Sequence, residues 1–136
     1  LADWISNDAV KNHNGYGGWD EWNGNIFNIE SGWGSPYVTN GKIYQTNIFS
    51  PGTYVFEVLE IISTNLTSDD PVYLVAAVGD IIPDVEQIES ALAYSHVLER
   101  KIQFTLTEET EISVGYLTSQ QGDKFCNIVA FDLYKK

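Results

Sequence analysis

A period of two in the apolar positions runs through most of the chain after residue 42. In "KIQFTLT" (101–107) Ile102, Phe104 and Leu106 alternate with Lys101, Gln103, Thr105 and Thr107, and in "EISVGY" (111–116) Ile112, Val114 and Tyr116 alternate with polar or small residues. Successive strand side chains point to opposite faces, so this alternation predicts half-buried strands. "TEET" (107–110) reads as the hairpin loop that joins them. "KIYQTNIF" (42–49) and "TYVFEVLEII" (53–62) are rich in β-branched and aromatic residues. Pro51 and Gly52 between them suit the central positions of a type II turn, which predicts an antiparallel hairpin. Tyr54, Phe56 and Val58 fall on its core face, with Val55, Glu57 and Leu59 on the other.

"VYLVAAV" (72–78) is a short unbroken apolar run, of a length that suits a buried strand. "KFCNIVAFDLY" (124–134) reads as one last strand with Phe125, Val129, Phe131 and Leu133 on a common face. "PDVEQIESALAYSHVL" (83–98) is the ambiguous stretch. Asp84 as cap, Gln87 three residues on and a stripe of Val85, Ile88 and Leu92 predict one or two helical turns or an ordered loop. With "NIFNIE" (25–30) the count is seven strands, which points to an all-β antiparallel sandwich with at most one short helix.

The 136 residues suit a single domain, large enough to bury roughly two thirds of its unfolded surface without a metal or disulfide staple. Hydrophobic residues at 43% and aromatics at 13% speak for a packed core and against disorder. Lys and Arg number 7 against 19 Asp and Glu, a formal net charge of −12. Such a chain repels phosphate backbones and anionic lipid heads, so neither nucleic acid nor a membrane surface is an expected partner, and with no long apolar run membrane insertion is not expected either. Cys126 is the single cysteine, and its place in an apolar strand predicts an inert buried thiol. A chain that opens "LADW" and has no methionine is expected to be a mature or excised piece of something longer.

Little in the sequence points to catalysis. His13 and His96 show no metal-ligand spacing, and no phosphate cradle or nucleophile elbow appears. Asp20 and Glu21 are adjacent carboxylates in a glycine-rich stretch, weak grounds for glycoside hydrolysis. The expectation is therefore a non-enzyme without a cofactor. Calcium bridging the first and last strands through Glu30 or Asp132 is a minor expectation, and "NLT" (65–67) matches an N-glycosylation acceptor.

The four tryptophans all fall in the first forty residues. In "NHNGYGGWDEWNGN" (12–25) glycine and asparagine supply turn conformations, which puts Trp19 and Trp22 on a loop. Sugar rings present apolar C–H faces rimmed by hydroxyls, and a site for them wants flat aromatics beside short polar side chains. Tyr16, Trp19, Asp20, Trp22, Asn23 and Trp33 supply that mixture and are the candidate ligand-binding residues. Trp4 is expected to pack against the sandwich.

The runs "GKIYQTNIFSPGTYVFEV", "VYLVAAVGDIIPDVEQIESALAYS" and "IQFTLTEETEISVGYLTSQQGDKFCNIVAFDLYK" resemble the DUF5013 type of domain found in surface lipoproteins of gut Bacteroidetes. The resemblance covers about residues 22 to 134. It implies a two-sheet jelly roll, similar to galactose-binding-like domains and carbohydrate-binding modules, exported to the outer-membrane surface as the C-terminal module of a longer protein and joined to neighbouring domains. It supplies no ligand residues. Two readings follow: a non-catalytic carbohydrate-binding module whose partner is a glycan, or a structural adaptor domain in which the tryptophans pack against the sandwich or a neighbour.

Overall fold

The computed structural model describes residues 4–11, 19–20, 26–34 and 37–136, with backbone alone at 11, 19–20 and 26–28. These form an antiparallel β-sandwich. The first layer has the order β1 (Ile5–Ser6), β4 (Val38–Phe49), β10 (Thr110–Gln120), β7 (Val72–Val78) and β8 (Ala93–His96). The second holds two ladders, β2 (Trp19–Asp20), β3 (Ile26–Ser31), β11 (Lys124–Ile128), β6 (Ile61–Thr64) and β12 (Phe131–Lys135), β5 (Gly52–Val58), β9 (Lys101–Leu106). The two ladders join end to end. The Leu59 N–H donates to the Ala130 carbonyl and the Val129 N–H to the Glu60 carbonyl, each at 3.0 Å. Val58 faces Phe131 and, three residues on, Ile61 faces Ile128, so the register carries through the joint.

That joint corrects the expected last strand. An interval of three residues between inward positions reverses the alternation on both strands. Cys126 and Ile128 are buried before the joint, whereas Phe131 and Leu133 pack on the core after it. Phe125 and Val129 therefore do not share the face of Phe131 and Leu133.

Both expected hairpins are corrected too. β4 pairs with β1 and β10 while β5 pairs with β12 and β9, so Pro51 and Gly52 carry the chain from one layer to the other. Gly52 has φ 151°, not the value near +80° of a type II turn. Residues 107–109 likewise link β9 in one layer to β10 in the other. An inward-facing alternation is satisfied equally by a neighbour in the same sheet or by one across the core, so the pattern does not distinguish them. Phe49, Tyr54 and Phe104 fill the core beneath the first crossing, with ring centroids 5.0 to 6.0 Å apart.

The apolar run of β7 has a physical reason. Val72, Leu74 and Ala76 face the main core, while Val75 lies in a second small cluster with Ile82 and Leu117 on the opposite face of the layer. Residues 80–92 cover that face, and a strand buried on both faces reads as continuous apolar sequence. The expected helix there is a 3-10 segment, Val85–Ser90. Asp84 makes no side-chain cap bond and pairs with Lys42 at 2.7 Å instead. Val85 and Ile88 pack inward as expected, but Leu92 is exposed. The other helical pieces among the described residues are one turn of α-helix, α1 (Asp8–Lys11), and a 3-10 turn at Val97–Glu99.

Asn40, in the left-handed region at φ 50°, locks the covering segment down. Its side-chain oxygen accepts the Val85 N–H at 2.9 Å and its carbonyl accepts the Asn7 amide at 2.7 Å. Beneath the same segment, burial and the Asp80 carboxylate push the Tyr44 phenol up.

Candidate functional site

β3 ends at Ser31, and the chain turns through Gly32, Trp33 and Gly34. A Cβ on Gly32 would lie 2.1 Å from the Asp123 side-chain oxygen and 2.8 Å from the Gly122 carbonyl, so only glycine fits against the facing turn. The Trp33 N–H then donates to Asp123 Oδ1 at 2.9 Å, and the Ser31 hydroxyl donates to the Gly122 carbonyl at 2.8 Å. These bonds hold Trp33 at φ 46°, a left-handed backbone that a bulky L residue adopts at a cost. Its indole is 56% exposed and leans on Phe125 with centroids 6.2 Å apart and planes at 53°.

The ground under this corner is rigid. Gln120 is buried, accepts the Thr118 hydroxyl at 2.7 Å and donates its amide to the Ile29 and Lys124 carbonyls at 3.2 and 3.3 Å, tying β3 to β11. Asn65 donates to the Asp123 carbonyl at 2.8 Å and accepts the Phe125 N–H at 2.9 Å. The amide of the "NLT" triplet is thus committed to holding the turn beside Trp33. Asp70 accepts the Thr67 N–H at 2.7 Å and pairs with Lys124 at 3.2 Å. Burial alone would raise the Asp70 pKa, but the Thr67 N–H and the Lys124 ammonium together hold it below the usual carboxylate value.

Of the six expected ligand residues, Trp33 is the one whose side chain the structure places. Trp19 and Asp20 form β2, opposite Phe27 and Ile26 at the edge of the second layer, with their side chains outside the description. Tyr16, Trp22 and Asn23 lie outside the described residues, as do His13 and Glu21. Trp4 packs on the core through Phe131, centroids 5.5 Å apart, as expected.

Glu30 stands opposite Phe125 in the β3–β11 ladder, and Asp132 opposite Glu57 in the β12–β5 ladder. Seven residues of strand path between Phe125 and Asp132 amount to about 23 Å, so the fold does not bring these two carboxylates together. Among the described residues no group of three or more His, Cys, Asp or Glu side chains is placed to hold a metal ion. The His96 ring contacts the Asp70 carbonyl through Nε2 at 2.8 Å and accepts the Leu98 N–H at Nδ1 at 3.1 Å, a structural role. Cys126 is 1% exposed, and burial pushes its thiol up. Burial, with Cys126 beside it, also pushes the Tyr116 phenol well above its usual range.

One group went unnoticed in the alternation. Val55, Lys101, Gln103, Tyr134 and Lys136 line a depression of about 220 Å³ on the outer face of the β12–β5–β9 ladder. Its sequence signal was the presence of Lys101, Lys135 and Lys136 among only 7 basic residues.

These features define an antiparallel β-sandwich domain with Trp33 exposed on a corner turn and Tyr134 on an outer sheet face. The chain belongs to the family described as a domain of unknown function, DUF5013, which it matches over residues 1–115. No curated protein and no solved structure matches it significantly.

Proposed function

We propose that this domain is a non-catalytic carbohydrate-binding module of an exported bacterial cell-surface protein, with Trp33 as a stacking platform of its site. The Trp33 corner carries the reading. An exposed indole is held in a left-handed turn that glycine or asparagine would occupy with less strain, and such strain is kept where a side chain has work to do. The ring offers a flat apolar face for the C–H side of a sugar, and the Asp123 carboxylate stands next to it for hydroxyls. Tyr16, Trp19, Asp20, Trp22 and Asn23 are proposed as the rest of the site. In this reading the domain acts without an enzyme's machinery or a resident cofactor and works beside other domains of its parent chain. Among the described residues no helix is long and apolar enough to cross a membrane.

Binding to an array of plant, mucin and microbial glycans, run with calcium and again with chelator, tests this. Hits lost on Trp33→Ala, Trp19→Ala or Trp22→Ala support it, and an array blank under both conditions refutes it. A second reading, a structural adaptor domain, draws support from a different surface. Val78, Ile81 and Leu92 are exposed and line an open apolar depression of about 450 Å³, suited to covering by a neighbouring domain.

A further inference from the structure

We propose that the outer face of the β12–β5–β9 ladder is a second binding site, for an anionic sugar unit bearing a carboxylate or sulfate. The strand register builds it. Tyr134, Val55 and Gln103 lie side by side across the three strands, with Val55 opposite both of the others. Leu133 packs on the core and Ile102 and Phe104 are buried in it, which turns Tyr134, Lys136, Lys101 and Gln103 outward. Val55, though on the outer face, is 3% exposed and forms an apolar floor, while Tyr134 remains 41% exposed. An exposed aromatic side chain beside an apolar floor, edged by an amide and ammonium groups, matches a sugar with one apolar face and a negative substituent.

Charge makes the face unusual in this molecule. The chain has 7 Lys and Arg in a net charge of −12. Lys42 and Lys124 are matched by Asp84 and Asp70. Lys101 and Lys136 make no ion pair among the described residues, and neither do Arg100 and Lys135 at the margins of the same ladder. Lys136 Nζ donates to Gln103 Oε1 at 3.1 Å, which holds both at the depression. Lys135 is turned away, donating to Ser50 and lying 5.8 Å from the Tyr54 ring centroid. The carboxylates of this face, Glu57 and Asp132, are opposite one another in the row of Lys101, outside the lining. Glu57 and Asp132 balance the two lysines over the face as a whole, but Lys101 and Lys136 stand at the lining itself without an ion pair among the described residues, and their ammonium groups are the local attraction for an anion. The volume of about 220 Å³ is below the roughly 300–1,000 Å³ of pockets for drug-sized ligands, which suits one sugar unit of a chain.

Calorimetric titration of the whole domain with trigalacturonate, a sulfated galactose disaccharide and neutral galactotriose tests the proposal. At least one anionic probe should bind about tenfold or more tighter than galactotriose. That binding should weaken as salt rises from about 0.02 to about 0.5 M. The double variant Lys101→Gln/Lys136→Gln, with unchanged melting, should lose it, as should Tyr134→Ala. Trp33→Ala should leave it intact, which separates this site from the Trp33 corner. Absence of binding by both anionic probes, or binding that survives the double lysine variant, overturns the proposal.

Discussion

Trp33→Asn separates an exposed platform from a structural plug. Asparagine tolerates the left-handed backbone, so the substitution relieves strain at φ 46° worth about 1–2 kcal/mol. The Trp33 N–H to Asp123 bond is a backbone bond and survives. Lost is the tilted contact with Phe125 at 6.2 Å, worth about 0.5–1.5 kcal/mol. Lost as well is the burial of the less than half of the indole that is covered, about 1 kcal/mol on the scale of a fully buried apolar side chain. Gains and losses nearly cancel, leaving a net cost of about 0–1 kcal/mol, against about 3–5 kcal/mol for truncating a core aromatic. Urea unfolding of the two proteins at equal m-value reads the difference. A loss of about 3 kcal/mol or more would refute the reasoning, because the indole would then be part of the core.

Two further substitutions test the scaffold. A Cβ on Gly115 would lie 2.3 Å from the Ile43 carbonyl oxygen and 2.5 Å from Tyr44 Cβ. Gly115→Ala must therefore part β4 from β10, with an expected loss at or above the upper end of the roughly 1–3 kcal/mol typical of overpacking, read by thermal or urea unfolding. Asp70→Asn removes the carboxylate paired with Lys124 and should cost about 1 kcal/mol at neutral pH. Because the Asp70 pKa is lowered in the fold, its contribution is present above the ordinary value of 3.8 and is lost as pH falls through the folded value. Unfolding followed across acid pH should show the gap between the two proteins closing below that value, and a gap that persists would contradict the pairing.

The sandwich was legible because alternation reports which side chains face the core. Ile102, Phe104, Leu106, Ile112, Val114 and Tyr116 are all buried as their spacing requires. Pairing was not legible, since the same alternation fits a hairpin or a crossing between layers, and both expected hairpins proved to be crossings. The reversal of parity at Leu59–Glu60 and Val129–Ala130 was hidden for a related reason. It is a property of two strands acting together, and neither "VLEII" nor "NIVAF" announces it alone. For the site, composition drew attention to Trp33, but its exposure depends on Asp123 and Asn65, distant in sequence. Tyr134 escaped notice because its neighbours Val55 and Gln103 come from two other strands.

The two proposed sites are separable because of where they lie on one strand path. Trp33 leans on Phe125 in β11, and Tyr134 stands nine residues further along in β12, on the order of 30 Å of extended chain. Substitutions further apart than about 7–10 Å with no shared partners act additively. Trp33→Asn combined with Lys101→Gln/Lys136→Gln should therefore show the sum of the separate stability changes, and each should abolish its own class of ligand alone. Departure from additivity by more than about 0.5 kcal/mol would mean that the corner and the outer face are coupled through the β5–β6 and β11–β12 joint. One glycan chain would then be reading both.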